Sequence, residues 1–99
     1  MAFVLKEGTA LTAAQCVRNG IELLDEKGPE NWRDMIDLDT LDIQMTNRCI
    51  IGQLYKNSYF SYSSMLRDIG AFGNPQRYGF DAHLDYEELT KEWKLALSA

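Results

Sequence analysis

The sequence predicts a mainly α, compact single domain of about four helices, spanning residues 1–99, with room for a minor two-stranded β element. Three observations lead there. Two segments line apolar residues along one helical face, at i, i+3, i+4, i+7 in the first and i, i+3, i+7, i+10, i+11 in the last. Each opens on a capping-box pattern, Thr12 with Gln15 and Asp85 with Glu88. Between them, period-two alternation is confined to one short stretch.

The clearest helix is LTAAQCVRNGIELLDEKG, with Ala13, Cys16, Val17, Gly20, Ile21 and Leu24 on its inner face. Gly28 and Pro29 terminate it. PENWRDMI follows as a short helical turn, with Trp32 as an anchor in the core. In IDLDTLDIQ, apolar Ile36, Leu38, Leu41 and Ile43 alternate with polar residues. That suggests short extended pieces, or a turn capped by Asp39 or Asp42, with the later YGF segment as a strand partner. A second helix runs through TNRCIIGQLY from an N-cap at Thr46 or Asn47, and a third covers SYSSMLRDIG up to Gly70. AFGNPQRYGF reads as a loop. The final helix carries Tyr86, Leu89, Trp93, Ala96 and Leu97. The first and last helices should pack together with Ile50, Ile51 and Leu54 between them, and Trp93 and Leu54 should be core anchors.

Composition narrows the function classes. The chain has 99 residues, 45% hydrophobic and 25% charged, which suits a folded core without disulfides or metal. Its net charge is −5 and its ten basic residues are scattered, which argues against nucleic-acid binding. No apolar run approaches the roughly 20 residues of a membrane span. The opening MAFVLKEG is too short an apolar stretch for a signal peptide, so a cytoplasmic location is expected. Cys16 and Cys49 lie in helical apolar patterns and read as reduced thiols.

Four carboxylates, Asp34, Asp37, Asp39 and Asp42, crowd the stretch RDMIDLDTLD. A calcium-binding EF-hand loop needs oxygen ligands at positions 1, 3 and 5, glycine at 6 and glutamate at 12. Counted from Asp37, those later positions hold Leu41, Asp42 and Arg48, so the pattern fails. Solvated carboxylates at a turn are expected, with an acidic contact patch as the functional reading. His83 and the two distant cysteines make no zinc signature, and a nucleophilic Cys–His pair would need an activated, accessible thiol. No cofactor, metal site or catalytic set is therefore predicted. In YKNSYFSY, residues 55–62, half the positions are aromatic. Tyr55 and Phe60 should fill the core, with Tyr59 and Tyr62 at its edge, where tyrosines suit a protein partner.

LLD at 23–25, Pro29 with Trp32, IDLDTLD at 36–42 and CIIGQLY at 49–55 resemble an uncharacterised group of small proteins encoded by phages of actinobacteria. YGF at 78–80 and YEELTKEW at 86–93 resemble that group's closing segment. The likeness spans Leu23 to Trp93, and CIIGQLY is its most specific piece. The group carries no assigned activity, so the resemblance implies no catalytic residue. It implies a phage product inside a bacterial cell, of the accessory kind that binds and modulates a host protein or defence system. Lys56-Asn57-Ser58 departs from the group's pattern, which has glycine near that point, and implies a longer turn before Tyr59. The expected function is thus a non-enzymatic host-protein binder contacting its partner through Tyr59, Tyr62, Asp37 and Asp39. The alternatives are a homo-oligomeric structural or assembly protein, or a small metal-binding protein or enzyme using His83 or the carboxylates.

Overall fold

A computed structural model describes residues 11–55, 62–82 and 85–98. The protein is mainly helical: among the described residues four α-helices and two 3-10 turns surround an apolar core.

Helix α1, Ala13–Lys27, begins at the expected capping box. The Thr12 hydroxyl accepts from the Gln15 N–H at 3.1 Å, and the Gln15 side chain accepts from the Thr12 N–H at 2.8 Å. Val17, Gly20 and Leu24 face inward. The helix stops where the Gly28 N–H bonds back to the Leu24 carbonyl and the chain turns extended. A 3-10 turn, Trp32–Met35, then inserts Trp32 into the core. Asn31 ahead of it takes a left-handed conformation at φ 64°, a state asparagine tolerates better than most residues.

Among the described residues no strand forms, so the two-stranded element is not present there. Residues 36–48 instead make successive turns. The Met45 N–H bonds to the Asp42 carbonyl, the Arg48 N–H to that of Met45, and the Asp42 N–H to that of Arg48. Ile36, Leu41 and Ile43 still point inward. A folded-back turn series satisfies the same inside–outside pattern that alternation suggested. The prospective strand partner, YGF, is likewise a helical turn running into a left-handed Gly79.

Helix α2, Ile50–Leu54, buries Ile50, Ile51 and Leu54. It starts later than the expected Thr46 or Asn47 cap, because residues 42–48 are consumed by those turns. Its N-cap is Cys49, whose sulfur accepts from the Gly52 N–H at 3.3 Å. Helix α3, Tyr62–Asp68, closes on Gly70 at φ 85°. There the Ala71 N–H reaches the Leu66 carbonyl and the Gly70 N–H that of Arg67, the reciprocal pattern of a Schellman stop.

The stretch expected as a loop contains a second 3-10 turn, Pro75–Tyr78, and buries both Ala71 and Phe80. Helix α4, Tyr86–Leu97, starts where the Asp85 carboxylate accepts from the Glu88 N–H. Trp93 is fully buried, stacks on Phe80 with ring centres 6.1 Å apart, and donates its indole N–H to the Gly79 carbonyl at 2.7 Å. Helices α1 and α4 pack directly on each other, with the second 3-10 turn also against α1, while α2 packs on α3 and on the first 3-10 turn. Ile50, Ile51 and Leu54 share one core cluster with Val17 and Leu24 of α1 and Leu89 and Trp93 of α4. Gly20 makes the α1–α4 approach possible: a β-carbon there would lie against the Tyr78 carbonyl and 2.9 Å from the Trp93 ring.

Candidate functional site

The acidic turn is organised from behind by one buried polar side chain. Gln53 is 8% exposed and is the one buried polar residue among the described residues. Its Oε1 accepts from the Asp37 N–H at 2.6 Å. Its Nε2 donates to the Asp37 carbonyl at 3.2 Å and to the Arg48 carbonyl at 2.9 Å. Both amide protons and the amide oxygen are thus used, which is the condition for burying such a group without a net cost. The three bonds tie Asp37 and Arg48, on either side of the turn series between them, to α2.

The carboxylates follow from this anchorage. The Asp37 side chain accepts from the Asp39 N–H at 3.0 Å, and the Asp42 side chain accepts from the Gln44 N–H at 3.1 Å. Each closes an Asx turn. Of the alternatives Asp39 and Asp42, Asp42 is the one that caps a turn, and Asp37 caps a further one. Asp37 and Asp39 are both exposed. Among the described residues no three His, Cys, Asp or Glu side chains converge as metal ligands.

The other candidate contacts fall differently. Tyr59 lies outside the described residues, as do Phe60 and His83. Tyr62 is the first residue of α3, with its side chain outside the description. Tyr55 is half-buried against the core. The structure therefore places Asp37 and Asp39 together on one turn and leaves their relation to the tyrosines undescribed.

Cys49 is 1% exposed. Burial pushes its thiol pKa up, outweighing the backbone N–H groups that favour the thiolate, and the Asp81 carboxylate raises it further. The thiol donates to the Thr46 carbonyl at 3.6 Å while capping α2, so it is occupied as a structural group. Burial also raises the pKa of half-buried Cys16, with the Arg77 guanidinium opposing. Asp81 is engaged by the Tyr86 hydroxyl at 2.7 Å, a bond that holds the Tyr86 phenol above its ordinary pKa.

Sequence reading missed a second ordered cluster. Asp25 accepts from the Trp32 indole N–H at 3.0 Å and from Arg33 at 2.9 Å, and the Arg33 guanidinium sits 4.8 Å from the Trp32 ring centre. The indole bond, then Arg33, holds the Asp25 carboxyl below its ordinary pKa. All three side chains stiffen the α1-to-turn corner, and the Asp25 and Arg33 groups are about half exposed. Asp25 belongs to α1 while Trp32 and Arg33 lie in the turn beyond the Gly28 stop, so no single element's periodicity pairs them.

No protein family, curated protein or solved structure matches this chain in sequence or fold comparison.

Proposed function

We propose that the protein is a non-enzymatic binding protein that uses the Asp37–Asp39 turn, with Tyr59 and Tyr62, to engage a basic surface of a partner protein. The observation supporting this reading is the Gln53 anchorage: it holds a doubly acidic turn in one shape with both carboxylates outward. A pre-shaped contact loses less conformational entropy on binding than a mobile one. The −5 net charge favours encounter with a basic partner. The likeness to phage-encoded proteins adds that the partner is a protein of the bacterial host cell.

The test is affinity purification of the tagged protein from a bacterial host lysate, compared with two variants. Asp37→Asn with Asp39→Asn removes the charges while an amide oxygen at position 37 still accepts from the Asp39 N–H. Tyr59→Ala removes the aromatic contact. A stoichiometric partner that the folded variants fail to retain supports the reading. A partner retained equally by all three, or none at all, refutes it.

A further inference from the structure

We propose that α4 and the turn facing it form a self-complementary groove through which two copies of this chain associate antiparallel about a two-fold axis. The groove is open and holds about 850 Å³ between α4 and Leu41, Asp42 and Gln44. Its α4 wall carries Glu87, Lys91 and Lys94, with Ser98 just past the helix end. Their i, i+4, i+7, i+11 spacing sets them in one stripe. Acid stands at the N-terminal end of this stripe and base at the C-terminal end. Among the described residues Glu87, Lys91 and Lys94 have no ion-pair partner, the ion pair there being Asp25 with Arg33. Leu95, 57% exposed, flanks the stripe as an uncovered apolar side chain.

A second copy fits this charge order. A two-fold rotation reverses the helix, so Glu87 of one copy meets Lys94 of the other and the reciprocal pair forms in the same step, while the two Lys91 side chains meet beside the axis as a like-charge pair that weakens the association. The two charges sit seven residues apart, about 10 Å along the helix, on both copies alike. A parallel approach would set like charges opposite each other. The stripe occupies one face of a helix only about 18 Å long. That is less than a standard interface, so the association is weak and sensitive to salt. Asp37 and Asp39 do not line the groove, so this inference stands apart from the acidic-turn reading.

Sedimentation equilibrium tests it, with circular dichroism confirming the fold of each variant. At low ionic strength and rising concentration the average mass should climb from 11.3 kDa towards twice that value. It should fall back in high salt, where screening acts within about 3 Å. Glu87→Lys alone and Lys94→Glu alone should each abolish the rise. The double reversal should restore it, and so should an equimolar mixture of the two single variants, which forms a hetero-pair with both contacts attractive. The same charges also have a local use, in pairing within the helix and complementing its dipole. Were that their whole role, the wild type would stay at 11.3 kDa into the millimolar range. That outcome, or a mass rise indifferent to the reversals, overturns the proposal.

Discussion

Replacing Gln53 by Leu isolates the anchorage of the acidic turn, because leucine matches the side chain in bulk and leaves no cavity. Three hydrogen bonds vanish, and the Asp37 N–H and the Asp37 and Arg48 carbonyls lose their partner. At about 0.5–1.5 kcal/mol net per bond, the loss is about 2–4 kcal/mol, kept at this level because the bonds are only part-buried and water can reach the freed groups. For a domain of this size, 1 kcal/mol corresponds to about 4–8 °C, so the melting temperature should fall by roughly 10–25 °C. Thermal unfolding followed by circular dichroism measures it directly. Gln53→Glu sharpens the test. The introduced carboxyl can donate to one of the two carbonyls, and only when protonated, so its pKa in the folded protein should lie above the unfolded value near 4.3. Its stabilising contribution is then fully present below the unfolded value and lost as pH rises through the folded one. This variant should recover stability on mild acidification, and Gln53→Leu should not. A Gln53→Leu protein melting within about 3 °C of wild type would refute the anchorage.

Trp93→Ala removes a fully buried ring, its Phe80 stack and its bond to Gly79, and should cost about 3–5 kcal/mol in a urea titration. Gly20→Ala, which in an open helix would stabilise, should destabilise here, because the new methyl meets the Tyr78 carbonyl and the Trp93 ring; a raised urea midpoint would contradict the α1–α4 packing. Asp25 is held below the ordinary aspartate pKa, so its contribution is present above that ordinary value and lost as pH falls through the folded one. Trp32 emission should follow that titration in the wild type and lose the step in Asp25→Asn.

What the sequence made legible was local. Thr12 with Gln15 and Asp85 with Glu88 lie three residues apart, and each helix start needs only those neighbours. The inner faces of α1 and α4 repeat over several turns, so their period stands out above chance. Residues 36–49 were harder because their arrangement depends on a residue far along the chain. The Asp37 backbone is held by Gln53, sixteen positions on, and nothing near Asp37 announces it. The signal that was available is a polar residue at a core-facing position of an otherwise apolar helix. The late start of α2 has the same origin, since turns ending at Arg48 displaced the cap from Thr46 or Asn47 to Cys49. Of the candidate site, the outward Asp37 and Asp39 followed from alternation, although turns rather than strands produce it.

The string C-I-I-G-Q-L acquires a different meaning from its geometry. Cys49 caps the helix, Ile50, Ile51 and Leu54 fill the interior, and Gln53 pins the acidic turn. At Gly52 a β-carbon would collide with the Thr46 carbonyl, so no larger residue fits without moving backbone. Every letter is accounted for by architecture. Another protein carrying this string should therefore share the interior and the bend above it while remaining free to display a different exterior. As a tracer of ancestry the string follows the scaffold, and under the proposed binding role a change of target would be written in the outward positions around it, Asp37 and Asp39 first among them.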